Sequence, residues 1–228
     1  MKVRVHMLVF ATLATAALAF SQQVTVDGPY QVRYASNLVN GGDSVINITN
    51  TGASALTTGF GAGSPAQNNI DGSICVNIYT FNADEEEVAC CACLVTPNAL
   101  WSASVKTALL NSTLTPSFPN EVVIKLISTV PNGTDGKQTC NPSTVTQDAT
   151  NVNNGPGTLA NGLLAWGTTL HAVGAGFQMA ETPFLPAQLS TAELQRDVTE
   201  CQFIQILGSG QFGICKGCTN AGLGASAQ

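Results

Sequence analysis

Eight cysteines limit how this 228-residue chain can fold more than any other feature. Four of them lie in one short stretch, Ser73–Asn98, where two strand-like runs flank an acidic tip. We predict that this stretch is a β-hairpin and the covalent hub of the domain. The full set is Cys75, Cys90, Cys91, Cys93, Cys140, Cys201, Cys215 and Cys218.

The N-terminus has the pattern of a secretory signal. Two basic residues precede the mostly apolar run Met7–Ala19, which ends in a small-x-small cleavage site. The run is shorter than the roughly 20 residues that cross a bilayer, and no later segment is long and apolar enough. We therefore expect a signal peptide at 1–21, a single secreted β-rich domain at 22–228, and a final location outside the cell, in a periplasm or on the cell surface.

Export implies an oxidising compartment, where an even number of cysteines indicates disulfides. We predict that all eight are paired, although spacing alone does not determine the connectivity. One expected bridge crosses the hub hairpin, from Cys75 to Cys91 or Cys93. Another ties Cys201 to Cys215 or Cys218.

Two CxxC pairs, Cys90–Cys93 and Cys215–Cys218, leave other chemistry open. Such spacing suits a four-thiolate zinc site or an iron–sulfur cluster. A redox pair of the thioredoxin kind needs its CxxC at a helix start, whereas Cys90 is predicted on a strand and Cys215 after a helix. Disulfides are favoured, and no metal or cofactor is expected.

Charge excludes several partners. The formal net charge is −6, and it becomes −8 once the basic Lys2 and Arg4 leave with the signal peptide. Nucleic-acid binding needs a basic surface, and attachment to anionic lipid needs basic clusters. We expect neither partner and no membrane span. Self-association through edge strands is the partner hypothesis, and the sequence identifies no ligand.

Catalytic patterns are missing from the sequence. His171 is the only histidine beyond the signal peptide, and no G-x-S-x-G elbow occurs. The G-x-G-x-x-G match at Gly208–Gly213 follows a predicted helix instead of opening one, so it does not fit a nucleotide site. The acidic run Asp84–Glu87 is interpreted as a solvated hairpin tip in preference to a calcium site. We predict no catalytic, cofactor-binding or metal-binding residue, and we expect that the protein is not an enzyme.

Hydrophobic periodicity predicts a mainly β fold. A capping box, Ser190 to Glu193, starts the clearest helix, expected over 191–207. Glu121–Ser128 is apolar on both faces, as a central strand would be. A short helix is expected over Ser104–Asn111, and long loops over 51–72 and 130–161. The remaining predicted strands are Gln23–Val26, Tyr30–Tyr34, Ser44–Thr49, Ile74–Phe81, Glu87–Leu94 and Gly162–Val173.

Two resemblances extend this prediction. The segment GDSVINITNTG (42–52) resembles the second strand and following turn of immunoglobulin-like surface domains, so the expected fold is an immunoglobulin-like sandwich with a short C-terminal helix. The series ICVNIYTF, CCACLVTPN, LLAWGTTLHA, ETPFLPAQLSTAEL and FGICKGC resembles a family of uncharacterised exported bacterial proteins with a CCxC-x-VTPN cysteine framework. That likeness implies export and a shared disulfide pattern, and it carries no activity.

Three functions fit these observations. The first is a non-enzymatic extracellular or cell-surface structural or assembly protein, such as a filament or surface-layer subunit. An N-terminal strand at Gln23–Val26 could then pair with a neighbouring subunit. The second is a secreted module that binds carbohydrate or protein through the loops at 51–72 and 130–161. The third is an exported metalloprotein or enzyme.

Overall fold

The computed structural model describes residues 25–39, 42–57, 72–113, 117–133, 137–152 and 155–207, together with Gly213 and Cys215. The predicted signal peptide, most of the loop at 51–72, Cys218 and most of Gly208–Gly213 lie outside these residues. Half of the predicted strand Gln23–Val26 also lies outside them. Its described half was predicted wrongly, because Val26 lies in a turn.

The described residues form nine strands and one α-helix, which confirms a mainly β protein with a C-terminal helix. All of the predicted strands from Tyr30 onward are present, with ends shifted by at most one residue. The strands are β1 (Tyr30–Ala35), β2 (Asp43–Asn50), β3 (Ile74–Phe81), β4 (Glu87–Val95), β5 (Leu100–Ser104), β6 (Val122–Thr129), β7 (Leu163–Val173), β8 (Gly176–Pro183) and β9 (Leu185–Pro186), and the helix is α1 (Thr191–Leu207).

The strands make two antiparallel sheets that pack face to face. One sheet has the order β4-β3-β6-β1-β9 and the other has the order β5-β2-β7-β8. Residues from both sheets share one apolar cluster between them, including Ile46, Ile78 and Leu163. β6 lies in the middle of its sheet, as its two apolar faces predict. The arrangement is a β-sandwich, and it is compatible with the immunoglobulin-like type.

The burial patterns of β2 and β3 show why one sheet carries a helix. β2 alternates: Ile46 and Ile48 are fully buried, and their neighbours Val45, Asn47 and Thr49 are half-buried. β3 is buried at every position. Its inner face lies in the core, and its outer face, including Tyr79, packs with α1 residues such as Val198 in a second cluster. The helix α1 thus covers the outside of this sheet.

The helix begins at its predicted cap. Ser190 Oγ accepts a hydrogen bond from the amide of Glu193 at 3.1 Å, which satisfies one of the free N–H groups of the first turn. The other half of the predicted box is wrong, because the Glu193 carboxylate pairs with Lys125. The short helix expected over Ser104–Asn111 is a single π-helical turn, Val105–Leu109.

Candidate functional site

Strand β4 is the covalent hub, and its bridges leave from both of its faces. Cys90 is joined to Cys201 on α1, in the cluster outside the sheet. Cys91 is joined to Cys215, in the core between the sheets. Cys93 is also disulfide-bonded. A further bridge joins Cys75, on β3, to Cys140. The described cysteines are therefore all oxidised, which is typical of proteins outside the cytoplasm.

Both preferred pairings from the sequence are wrong, and the alternation of side chains along a strand explains the first error. Cys75 lies opposite Leu94, whereas Cys91 and Cys93 lie opposite Ile78 and Val76. Successive side chains point to opposite faces, so Cys75 is on the outer face and cannot reach across the hairpin.

The second pairing, Cys201 with Cys215 or Cys218, is wrong because the two described partners lie on opposite sides of the sheet. Cys201 lies on the outer side with α1, and Cys215 lies in the inner core.

The oxidation of the described cysteines also bears on the metal hypothesis. Within the described ranges, one group has metal-ligand spacing, with a Glu87 oxygen and the sulfurs of Cys90 and Cys201 within 4.8 Å of one another. Its two sulfurs are bonded to each other and are not thiolates.

The acidic run at the hairpin tip is solvated only in part. Asp84, Glu85 and Glu86 are exposed, as predicted, but Glu87 is 8% exposed. Thr80 lies opposite Ala89, but the next residue, Phe81, lies opposite Glu87. Val88 is therefore an extra residue in β4. A bulge of this kind re-aims side chains. It places Glu87 on the outer face beside Cys90, where α1 covers it.

Glu87 belongs to a cluster of carboxyl groups between β4 and α1. Neither of its oxygens has a hydrogen-bond partner, and the same is true of Asp197 Oδ2 and Glu200 Oε2. Burial raises the pKa of Glu87 to about 10, with further contributions from Asp197 and Glu200. Burial also raises the pKa of Asp197 to about 6, against the opposing effect of Lys125. At neutral pH Glu87 therefore holds its proton.

Lys125, on β6, provides the cation of this cluster, and its side chain is 12% exposed. Its Nζ is 2.9 Å from Asp197 Oδ1 and also contacts the Glu193 carboxylate. The same nitrogen lies 3.9 Å from the centre of the Phe81 ring. Its contacts with carboxylates and a ring face fix the amine against the buried side of α1.

Strand β8 forms the other unusual feature, because none of its residues is buried. Phe177 and Met179 are 61% and 74% exposed. β8 pairs with β7 on one side, and no described residue pairs with its other side. The chain between His171 and Glu181 has no charged side chain. An exposed, apolar, unpaired strand edge is a template for pairing with another chain.

The hairpin turn determines which backbone groups of β8 point outward. Gly174 has a φ of +59° and Ala175 does not have a positive φ, as in a type II′ turn. Val173 and Gly176 flank this two-residue turn and face each other. In such hairpins the flanking pair exchanges both hydrogen bonds, and alternate residues then point outward. The N–H and C=O groups of residues 177, 179 and 181 therefore face away from β7.

The other three sheet edges are protected in the described part of the chain. At β4, the Cys90 amide donates to Gly213 O at 2.8 Å. Two disulfides, from Cys90 and Cys91, attach C-terminal parts of the chain to this strand. β9 is two residues long and contains Pro186, which has no N–H. β5 has only five residues and runs directly into the π-helical turn. Among the described edges, β8 alone combines length with an open edge, and its proline, Pro183, is its last residue.

His171 and the long loop at 130–161 complete the predicted features. His171 is half-buried on β7, as predicted, and its Nδ1 is 2.8 Å from Asn37 Nδ2. The loop contributes Val152 and Leu159 to a cleft of about 350 Å³ beside Tyr30.

Comparisons with known proteins add little. No protein-family model matches the chain, and no curated protein matches it significantly. Among solved structures, it is similar to the crystal structure of Thermotoga maritima 1070, with a TM-score of 0.39 and 10% identity over 73% of this chain and 100% of that one. A likeness of this size carries no argument about fold or function. In the described residues, no helix has the length and apolarity to cross a membrane.

Proposed function

We propose that the chain is a secreted, non-enzymatic structural protein whose subunits associate edge to edge through β8. The observation that supports this most is the contrast between β8 and the three protected edges. Folded proteins normally shorten, charge or cover the edges of their sheets, because an open edge recruits other strands. Among the described residues, β8 leaves an eight-residue edge open, and the five residues before Glu181 carry no charge.

A second copy of the same chain fits this edge. Two β8 strands related by a two-fold axis can pair antiparallel and make one continuous sheet from two molecules. If Phe177 of one copy pairs with Met179 of the other, the outward N–H and C=O groups of both strands meet. Each Glu181 then avoids facing its own copy. In this register the axis passes between the two Gln178 residues.

Pairing through β8 alone closes a dimer. A filament or surface layer would need a second contact, and α1 offers exposed apolar residues for it. Phe203 and Ile206 are 61% and 75% exposed and lie about one turn apart. Both features suit an extracellular assembly whose subunits are each stabilised by internal disulfides.

A charge on the open edge tests the proposal. Met179→Lys should convert an associated protein to a monomer in analytical ultracentrifugation, because two edge lysines would repel and disfavour pairing. Leu100→Lys is the matched control. Leu100 is 58% exposed on β5, in the same sheet, and this variant should associate like the wild type. A wild type that is monomeric at high concentration would contradict the proposal.

A cysteine scan tests the register. Gln178→Cys should form a disulfide-linked dimer, because facing residues in an antiparallel pair lie at disulfide distance. Ala180→Cys should not, because the two copies of residue 180 would be several residues apart along the strands. Cross-linking at 180 in preference to 178 would show that another register is used.

The cleft beside Tyr30 supports a second candidate function, a binding module. Apolar side chains of the 130–161 loop line it together with the segment before α1, and concave apolar sites with a few polar groups suit small ligands. A glycan array and a small-molecule thermal-shift screen would test it. Val152→Asp should abolish any binding found, whereas Met179→Lys should leave it intact.

A further inference from the structure

Lys125 and Asp197 are placed as the two reactants of an amide bond. Lys125 Nζ is 2.9 Å from Asp197 Oδ1, so the nitrogen is at hydrogen-bond distance from an atom bonded to the carboxyl carbon. The Asp197 side chain is 0% exposed and that of Lys125 is 12% exposed. Holding two reacting groups at such a separation replaces a bimolecular encounter with an intramolecular step.

The pair lies in surroundings that exclude most water. A buried ion pair pays a large desolvation penalty, and transfer of one proton from the ammonium to the carboxylate removes both charges. The Phe81 ring covers the amine. Asp197 Oδ2 is buried and has no hydrogen-bond partner, so the contact with Lys125 satisfies only Oδ1 of this carboxyl group. The raised pKa of Asp197 agrees with this geometry.

Glu87 supplies a proton donor and acceptor at the same place. Its carboxyl is buried, both of its oxygens lack partners, and it interacts electrostatically with Asp197 and Lys125. Amide formation needs a proton delivered to the departing oxygen and another removed from the nitrogen. A buried carboxylic acid of the same cluster can perform both transfers when it comes within hydrogen-bond reach of these atoms. The other titratable groups that influence Asp197 and Glu87 are Glu193, Arg196 and Glu200 of α1, and Tyr30 and Tyr79 are influenced by Asp197 in turn.

From this arrangement we infer that Lys125 and Asp197 condense into an intramolecular isopeptide bond that joins β6 to α1. The neutral Nζ attacks the Asp197 carboxyl carbon and forms the C–N bond. Glu87 gives a proton to one carboxyl oxygen, the C–O bond breaks, and one water molecule leaves. Glu87 recovers a proton from the nitrogen. No oxidant, reductant or cofactor is required, and the product is a neutral amide.

The bond would reinforce an existing tether. Asp197 and Cys201 are four residues apart, so they lie on the same side of α1, and both are 0% exposed. The disulfide from Cys201 and the amide from Asp197 would attach neighbouring turns of the helix to two different strands. An amide survives reducing conditions that open a disulfide. This inference does not depend on association through β8.

The mass of the intact, oxidised, full-length protein decides the question. With the isopeptide bond, the chain is lighter by one water molecule than its sequence and disulfides require. Trypsin does not cut after an acylated lysine, so after reduction and alkylation a branched peptide should join 107–137 to 197–216. Tandem mass spectrometry of that peptide should locate the branch at Asp197.

Three variants separate the roles. Lys125→Met should lack the branched peptide, and Glu87→Gln should retain the fold by circular dichroism but keep the extra water mass. Glu193→Gln should still form the bond, because Glu193 contacts the amine without being the acceptor. A wild-type mass with no missing water would overturn the inference. A branch at Glu193, or a full yield of amide in Glu87→Gln, would overturn the assigned roles.

Discussion

Cys90 and Cys91 are consecutive residues whose disulfides lead to opposite sides of the same sheet. Cys90 bonds to Cys201 in the cluster under α1, and Cys91 bonds to Cys215 in the core. The doubled cysteine therefore fastens two parts of the C-terminal region to one edge strand from its two faces. These attachments protect the edge at β4, and no described residue covers the edge at β8 in this way.

The disulfide pattern is the first prediction. Peptide mapping of the non-reduced protein should recover Cys75–Cys140, Cys90–Cys201 and Cys91–Cys215. Cys93 is also bonded, and Cys218 is the one remaining cysteine of the sequence, so we expect them to be linked. Recovery of a Cys75–Cys91 or Cys75–Cys93 peptide would contradict the outer-face position of Cys75.

The buried carboxyl of Glu87 predicts an inverted pH dependence of stability. Its pKa is raised from 4.5 to about 10 in the folded state, so the folded protein retains a proton that the unfolded chain loses. The stabilisation is complete below pH 4.5 and is lost as the pH rises toward 10. Burial is the main cause, so the trend persists if Asp197 is amidated.

Urea unfolding at acidic, neutral and basic pH measures this effect. The wild type should lose free energy of unfolding from acid to base, and Glu87→Gln should lose much less over the same range. Glu86→Gln is the matched control, because Glu86 is the exposed neighbour of Glu87, and it should follow the wild type. Equal slopes for wild type and Glu87→Gln would show that Glu87 is ionised in the folded protein.

The sequence predicted the strands better than the disulfide pairings. Alternation and β-branched residues located the ends of β3 and β7 closely, because these are local properties of the chain. The chain segment of β8 escaped prediction because its composition, GFQMAETP, shows no burial pattern, and burial is what hydrophobic periodicity reports. An edge strand with two exposed faces gives no such signal.

The candidate site was missed for a similar reason. A run of four acidic residues normally faces water, and three of them do. The burial of Glu87 depends on the extra residue at Val88 and on a helix about a hundred residues later in the sequence. Neither is visible from the spacing of the charges. The face on which Cys75 lies was predictable from alternation once Ile74–Phe81 had been assigned as a strand.

A close approach between the two sheets gives a further prediction at Gly167. Arg33 projects from β1 into the sandwich, is 6% exposed, and donates to Ser44 Oγ and Thr169 Oγ1 at 2.8 Å. A Cβ on Gly167 would overlap its guanidinium. Overpacking of this kind costs about 1–3 kcal/mol, so Gly167→Ala should lower the free energy of unfolding by that amount.

The matched control for this effect is Gly176→Ala, at the start of β8. A Cβ there meets no atom closer than 3.9 Å, and the residue does not have a positive φ. Urea unfolding should show a change of less than about 0.5 kcal/mol, as for surface substitutions. Equal losses for both variants would mean that strand propensity, and not contact with Arg33, sets the cost at Gly167.

Removal of the bridge between β4 and α1 gives the last prediction. Replacing Cys90 and Cys201 together with alanine should cost about 2–5 kcal/mol, as loss of a native disulfide does in small secreted domains. The double replacement of Cys75 and Cys140 is the matched control. Hydrogen exchange distinguishes the two, because only the first bridge holds α1. Amides of Thr191–Leu207 should exchange faster in the first variant and remain protected in the second.

The isopeptide bond changes this expectation. If Lys125 and Asp197 are joined, the variant without Cys90 and Cys201 should lose only part of its α1 protection, and it should lose all of it when Lys125→Met is added. Full loss of α1 protection without Lys125→Met would show that the disulfide alone holds the helix.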